Sequence, residues 1–241
     1  MKRIVIIGAG ECGVRAAFAL REQGFDGAVQ LLGAEASVPY ERPPLSKNPL
    51  GEPKPIRPRV AYEAAGIELR LDARAVRIDL ARREVECSDG EVLGYDGLLI
   101  ATGARARLFL GMEGCLTLRT DRDVEDIAPV LRAGARIGIV GGGFIGLELA
   151  AAARVAGADV TVFEAAPRLL ARAVPEAIAD RVQARHVAEG VRIVTGVGVA
   201  SAGRGRIALA DGTVHECDAV LAGVGALAEH RTCRSGRARR G

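Results

Sequence analysis

The chain has 241 residues, enough for one large domain or two small ones, and its 49% hydrophobic and 26% charged residues are ordinary for a globular protein. Only 3% of the residues are aromatic and none is Trp, which argues against a nucleic-acid-binding protein that stacks bases on aromatic rings. Residues 227–241 hold five Arg and carry a charge of +4 within a total of +3, so the rest of the chain is close to neutral and has no general attraction to nucleic acid.

Cysteine spacing and hydropathy exclude further kinds of protein and of site. The five cysteines form no C-x-x-C pair, so the sequence predicts neither a zinc site nor a redox-active dithiol, and no metal is expected. The first residues lead directly into an apolar strand without a signal peptide, and no apolar run approaches the roughly 18 residues of a membrane span. We therefore expect a cytoplasmic protein that binds neither nucleic acid nor membrane.

The first half of the chain begins with a predicted strand at residues 3–7, a glycine turn, a helix at 11–23 that ends before Gly24, and a strand at 28–32. Seven prolines between residues 38 and 58 predict a shaped loop rather than a helix or a strand, because proline fixes φ and removes an amide donor. Further strands are predicted at residues 67–71, 75–79, 85–87, 92–93 and 98–100, with a hairpin turn at 88–90.

The second half repeats this order about 133 residues later. Its predicted elements are a strand at 137–140, a glycine turn at 141–146, a helix at 144–156, a strand at 159–163, a helix at 175–189, and strands at 191–194, 206–210, 213–215 and 218–221. A repeat at this distance is too long for a solenoid, so it predicts two related α/β domains with a boundary near residues 111–120.

The first candidate site is the G-x-G-x-x-G turn between the first strand and the first helix. It consists of Gly8, Ala9, Gly10, Glu11, Cys12 and Gly13. Gly8 permits the tight turn, Gly10 lets the backbone approach a pyrophosphate, and Gly13 lets helix and strand pack closely. An acidic residue about 20 positions further on is expected to hold ribose hydroxyls, and Glu35 follows the second strand. The pattern predicts a dinucleotide site.

A second turn of the same kind opens the second half. It consists of Gly141, Gly142, Gly143, Phe144, Ile145 and Gly146. Glu164 ends the next strand, 18 residues beyond Gly146, where a carboxylate accepts hydrogen bonds from ribose and repels a 2′-phosphate. NADH is therefore favoured over NADPH, although Arg168, four residues later, weakens that inference. Two dinucleotide sites on one chain indicate FAD together with NAD(P)H.

Three segments of the chain are similar to the ferredoxin reductases of oxygenase systems, a group that includes putidaredoxin and rubredoxin reductases. They are PYERPPLSK at residues 39–47, YDGLLIATGA at 95–104 and VGGGFIGLELA at 140–150, and RPPLSK is the most specific. The resemblance implies two Rossmann-like three-layer (ββα) domains. An FAD-binding domain would span residues 1–113 and an NAD(P)H-binding domain residues 114–226. The C-terminal interface domain is expected to be absent, and residues 227–241 to be a disordered tail.

The resemblance also assigns roles to single residues. It places the ADP part of FAD on the first glycine turn and predicts FAD contacts for Glu35, Arg42 and Lys47, with Lys47 beside the isoalloxazine ring. An ammonium group there would stabilise negative charge as hydride arrives. Glu148 is expected near the nicotinamide and paired with Lys47; a solvated lysine and a surface glutamate are the alternatives. Further cofactor contacts are assigned to Val76, Ala101, Thr102 and Gly225.

Two functions therefore remain open at this point. The first is an enzyme in which NADH reduces FAD by hydride transfer and the flavin passes electrons directly to an iron–sulfur protein of ferredoxin or rubredoxin type. The family continues beyond the region that corresponds to residue 226 with a strand that returns to the FAD domain. The second function is therefore a non-catalytic dinucleotide-binding fragment, and FAD is expected to bind this chain weakly.

Overall fold

The computed structural model describes residues 2–229, which form two compact units. Within the described residues, unit 1 comprises residues 2–41, 54–104 and 228–229. Unit 2 comprises Arg42–Pro53 and Arg105–Leu227. Unit 2 resumes at Arg105, ahead of residues 111–120 where the sequence predicted the boundary, and each unit is assembled from separate stretches of the chain.

Helices and strands follow one another closely along the described chain. Up to residue 106 they are β1 (Arg3–Ile7), α1 (Glu11–Glu22), β2 (Ala28–Leu32), α2 (Pro43–Lys47), α3 (Arg59–Ala64), β3 (Ile67–Arg70), β4 (Ala75–Asp79), β5 (Glu84–Cys87), β6 (Val92–Gly94), β7 (Gly97–Ile100) and β8 (Ala104–Ala106). Next come β9 (Leu116–Thr117), α4 (Asp121–Ile127), a 3-10 helix (Ala128–Val130), β10 (Arg136–Val140), α5 (Phe144–Val155), β11 (Asp159–Glu164), α6 (Glu176–Ala188) and β12 (Arg192–Thr195). The last are β13 (Val199–Gly203), β14 (Arg206–Leu209), β15 (Val214–Glu216), β16 (Ala219–Ala222) and β17 (Ala226–Ala228).

Unit 1 has three layers around a parallel sheet with strand order β3-β2-β1-β7. Ile6 of β1 packs with Val14 and Ala17 of α1 on one face. Val5 and Ile7 pack on the other face, against the antiparallel sheet β4-β5-β6. Because both faces of β1 are covered, its residues 4–7 form an apolar run with no polar alternation. The predicted ββα arrangement is confirmed.

Unit 2 has the same plan. Its parallel sheet has the order β12-β11-β10-β16-β9, and the antiparallel sheet β13-β14-β15 supplies a second β layer. Val140 and Phe163 of the parallel sheet are buried with Ile207 and Leu209 of the antiparallel sheet. Helix α5 packs against β10 and β11 and buries Leu149. The two glycine turns therefore open equivalent helices in equivalent layers.

The segment of residues 38–58 was predicted to be a loop throughout, and this is wrong for α2. Pro43 and Pro44 stand at the first two helical positions, where a missing N–H group is not needed and the fixed φ suits the helix. Arg42 Nη1 donates to the backbone oxygen of Arg119 at 2.5 Å, and Ser46 Oγ donates to Glu148 Oε2 on α5. These contacts explain why Arg42–Pro53 belongs to unit 2.

Backbone pairing also continues beyond residue 226, where the sequence predicted the second domain to end. Ala226–Ala228 form β17, which pairs with β8 in a two-stranded ribbon, and Glu229 N donates to Gly103 O at 2.9 Å. Residues 227–229 therefore take part in backbone pairing, whereas the tail was predicted to begin at residue 227. The rest of the predicted tail, residues 230–241, lies outside the described residues.

Two aspartates in equivalent positions accept hydrogen bonds at the amino ends of the central strands β1 and β10. Asp96 Oδ2 accepts hydrogen bonds from the backbone N–H groups of Lys2 and Arg3, at 2.7 and 2.9 Å. Asp218 Oδ2 accepts from the backbone N–H of Arg136 at 2.8 Å, and its Oδ1 accepts from the Arg136 guanidinium at 2.8 Å. The side-chain hydrogen bond from Arg136 holds the pKa of Asp218 at about 2, below its ordinary 3.8.

We expect the hydrogen bonds between Asp218 and Arg136 to make the stability of unit 2 depend on pH under acidic conditions. Because the pKa of Asp218 is lower in the folded state, its stabilisation is complete above about pH 4 and is lost as the pH falls towards about 2. The Asp218→Asn variant should lack that acid-dependent loss, whereas Asp180→Asn on the exposed side of α6 should retain it. Urea unfolding between pH 2 and 6 measures the difference; identical pH profiles for wild type and Asp218→Asn would contradict it.

Candidate functional site

The first glycine turn has the geometry that close packing requires. Gly8 has φ of +109°, and its N–H donates to the backbone oxygen of Leu32 at 2.8 Å. A Cβ at Gly13 would lie 1.9 Å from Gly8 O, and a Cβ at Gly8 would lie 2.2 Å from Ala101 O. Gly10 differs, because a Cβ there would meet nothing within 4 Å. Gly8 and Gly13 are thus required by the fold, and Gly10 leaves open space at the start of α1.

The second turn reproduces this arrangement in unit 2. Gly141 has φ of +104°, and a Cβ at Gly146 would lie 2.1 Å from Gly141 O. Gly143, immediately before α5, has φ of −85°, and a Cβ there would approach only Gly223 O, at 3.9 Å. Gly223 lies where Ala101 lies in unit 1, since a Cβ at Gly141 would be 2.6 Å from its oxygen. Gly223 was missed in the sequence, although it follows an apolar strand as Ala101 does.

The acidic residue of unit 1 is held by a neighbouring side chain. Glu35 lies half-buried three residues after β2, and Tyr40 donates its hydroxyl hydrogen bond to Glu35 Oε2. The glycine turn and Glu35 both follow the carboxyl ends of neighbouring parallel strands, β1 and β2. Ligands of open α/β sheets bind at that edge. Tyr40 was not predicted as a site residue.

In unit 2 the acidic residue is bonded directly to the glycine turn. Glu164 Oε2 accepts from the N–H of Gly142 and Glu164 Oε1 accepts from the N–H of Ala166, both at 2.7 Å. Arg168 is engaged elsewhere, because its guanidinium donates to the backbone oxygens of Leu169, Ala171 and Val174, at 3.1–3.3 Å. These bonds orient the guanidinium towards the backbone of residues 169–174.

The first helical turns after the two glycine motifs are largely exposed. Glu11 forms an ion pair with Arg15 at 2.6 Å, and Cys12 is exposed. Phe144 is 57% exposed and Ile145 is 41% exposed. These four predicted contact residues therefore lie at the surface beside the open turn, and their contacts with a cofactor stay predictions.

The predicted catalytic pair is arranged differently from the expectation. Glu148, half-buried on α5, accepts a hydrogen bond from Ser46, whose side chain is 5% exposed. Lys47 is exposed, and no ion pair joins it to Glu148 or to another described residue. The adjacent hydroxyl replaces the ammonium as the partner of Glu148. Lys47 remains accessible to a negatively charged ligand.

The remaining predicted contacts are spread over both units. Val76 is 49% exposed on β4 of unit 1. Ala101 approaches Gly8, as described above, and Thr102 donates its hydroxyl hydrogen bond to the backbone oxygen of Glu229. Gly225 has φ of +111° and accepts from the backbone N–H of Arg107 at 2.9 Å in unit 2. Ala101 is thus next to the first turn, and Thr102 is already bonded to backbone.

The family profile described as pyridine nucleotide-disulphide oxidoreductase matches residues 2–239. The chain belongs to this family. The p-cumate 2,3-dioxygenase system ferredoxin–NAD(+) reductase component of Pseudomonas putida is 42% identical, over 93% of this chain and 58% of that protein. Rubredoxin-NAD(+) reductase of Pseudomonas putida is 40% identical, over 94% of this chain and 62% of that protein. The resemblance to ferredoxin reductases is confirmed.

Structural comparison agrees with this assignment. The reductase fold in a covalent putidaredoxin reductase–putidaredoxin complex superposes with a TM-score of 0.88 and 34% identity, over 93% of this chain and 58% of that one. The chain therefore spans about three-fifths of the length of these members of the oxidoreductase family. Among residues 2–229, every helix is too short or too polar to cross a bilayer, and no cluster of His, Cys, Asp and Glu could hold a metal ion.

Proposed function

We propose that this chain binds FAD through unit 1 and NADH through unit 2, and that it serves hydride transfer from NADH to FAD. Electrons would then pass to an iron–sulfur acceptor of the ferredoxin or rubredoxin type. The observation that carries the proposal is the repeated glycine turn, in which the first and last glycines are needed for packing and the middle one is open. The names of the relatives, which are ferredoxin– and rubredoxin–NAD(+) reductases, support it.

The residues around each turn fit a dinucleotide. The open space at Gly10 and Gly143 lies at the start of helices α1 and α5, where free N–H groups and the helix dipole favour a pyrophosphate. Glu35 and Glu164 stand at the ends of the adjacent strands and each carry a carboxylate that can accept from ribose hydroxyls. FAD, when bound, supplies a ring that accepts a hydride and gives up single electrons.

The side chains of α2 and α5 have separable tasks in this proposal. The exposed ammonium of Lys47 would stabilise negative charge on an adjacent ligand, because it is not neutralised by an ion pair within the described residues. Glu148, oriented by Ser46, would contact the nicotinamide half of NADH. Arg42 donates to the Arg119 oxygen, and the proposal assigns it a contact with FAD as the resemblance implies.

One observation favours the alternative of a binding fragment without turnover. A groove of about 420 Å³ runs beside β7 and α1, and it is lined by apolar residues that include Leu98 and Leu99. In the described chain β7 pairs only with β1, and its leucines stay half-buried. Incomplete cover of this sheet agrees with the expectation that FAD binds weakly, since half-buried leucines stabilise unit 1 less than fully buried ones.

Anaerobic mixing of the chain with FAD and NADH tests the proposal. We expect the flavin fluorescence to be quenched on binding and NADH to bleach the flavin absorption faster than in a protein-free control. The Lys47→Met variant should bind both nucleotides but reduce FAD about 10²-fold more slowly, the size of effect seen when one group that stabilises developing charge is removed. Lys54→Met, which removes an exposed partner of Glu41, is the matched control and should reduce FAD at the wild-type rate. NADH binding without any flavin reduction would contradict the proposed hydride transfer and support the alternative of a binding fragment.

A further inference from the structure

Glu35 is held by a hydroxyl group at a fixed position in unit 1. Its Oε2 accepts the hydrogen bond from Tyr40, five residues later, and its backbone oxygen accepts from the N–H of Asp72 at 3.0 Å. Both the carboxylate and the backbone of this residue are therefore tied to neighbouring segments. A carboxylate that keeps one orientation needs no reordering when a ligand hydroxyl arrives.

Tyr40 is itself immobilised by the polypeptide around it. The side chain is 5% exposed, and residue 40 forms an antiparallel bridge with Pro55. On either side of the bridge, Glu41 N donates to Lys54 O and Ile56 N donates to Pro39 O, each at 2.9 Å. A buried ring between two backbone hydrogen bonds has little freedom to turn its hydroxyl away from Glu35.

We propose that Tyr40 is a positioning residue for the adenosine ribose of the dinucleotide bound by unit 1. Its hydroxyl donates to Glu35 Oε2 and fixes the orientation of the carboxylate that is proposed to accept from the ribose hydroxyls. This inference rests on the proposed FAD site, and it adds a residue outside the glycine turn whose effect depends on the ribose. Tyr40 acts through Glu35 and touches no reacting atom.

The test measures FAD binding by flavin fluorescence in the Tyr40→Phe variant. A second ligand is FAD whose adenosine ribose lacks its hydroxyls. Tyr40→Phe should weaken FAD binding about three- to tenfold, the loss expected for one hydrogen bond, and should leave the affinity for the deoxy ligand within about twofold of wild type. In a Glu35→Ala background, Tyr40→Phe should have no further effect on FAD.

Tyr62→Phe is the matched control. Tyr62 is also buried in unit 1, and its hydroxyl has no hydrogen-bond partner in the described part of the chain, so its removal should change neither affinity. If Tyr40→Phe weakens both ligands equally, Tyr40 only packs; if it weakens neither, Glu35 does not need it. Either result overturns the inference while FAD binding stands. Absence of FAD binding by the wild-type chain overturns the proposed function and, with it, this inference.

Discussion

Gly146→Ala is expected to destabilise unit 2 by about 1–3 kcal/mol and to lower its affinity for NADH more than tenfold. A Cβ at this position would lie 2.1 Å from the backbone oxygen of Gly141, and backbone cannot move away as a flexible side chain can. Helix α5 would have to shift from β10, and the amides that are proposed to meet the pyrophosphate would shift with it. Denaturant unfolding and NADH titration measure the two effects.

Gly143→Ala is the control for this prediction, because a Cβ at Gly143 would have no neighbour closer than 3.9 Å. This variant should unfold like wild type and still lose about tenfold in NADH affinity, since the methyl group enters the space that the pyrophosphate needs. Gly10→Ala in unit 1 should leave NADH binding unchanged and weaken FAD. Normal stability of Gly146→Ala would show that the turn relaxes more easily than the geometry indicates.

Glu164→Ala is expected to lower NADH affinity tenfold or more and to remove discrimination against NADPH. The carboxylate accepts from the N–H groups of Gly142 and Ala166, and hydrogen bonds to a charged acceptor contribute about 1.5–3 kcal/mol each. In the wild-type chain a 2′-phosphate would also meet this negative charge, so NADH should bind about ten- to hundredfold more tightly than NADPH. Titration of both nucleotides against both proteins measures the change.

The control for Glu164 is another acid of the same strand. Asp159 begins β11, whereas Glu164 ends it, and Asp159 is exposed beside Arg154 at 3.5 Å. Asp159→Ala should leave both affinities unchanged. Equal affinity of the wild-type chain for NADH and NADPH would contradict the assignment, because Arg168 would then have to leave the three backbone oxygens that hold it in order to meet the phosphate.

Most of the local structure could be predicted from the sequence. Helix α1 was predicted at 11–23 and lies at Glu11–Glu22, and helix α6 was predicted at 175–189 and lies at Glu176–Ala188. The spacing of apolar residues and the glycines that end helices act over a few residues. They can therefore be recognised without knowledge of the fold. Helix α4 was missed, although Thr120 and Asp123 form a capping box that the sequence contains as T-x-x-D.

The candidate-site residues show the same difference between local features, which the sequence reveals, and tertiary contacts, which it does not. Gly13 was expected to let helix and strand pack closely, and a Cβ there would lie 1.9 Å from Gly8 O in the same turn. Side-chain partners were not predictable. Glu148 was assigned to Lys47 but is bonded to Ser46, 102 residues away in the chain, and no periodicity relates the two positions.

The sequence by itself therefore determined that this protein has two βαβ glycine turns, an acid after each second strand, and no C-x-x-C pair. Those features depend on φ, on steric limits near glycine and on residue type, all of which are local. The tertiary structure alone decided that Arg42–Pro53 belongs to unit 2, that Arg168 is occupied by backbone oxygens and that Tyr40 orients Glu35. Each of these depends on which hydrogen-bond partners the packed chain brings within about 3 Å, and a polar side chain in a sequence does not state which partner it will meet.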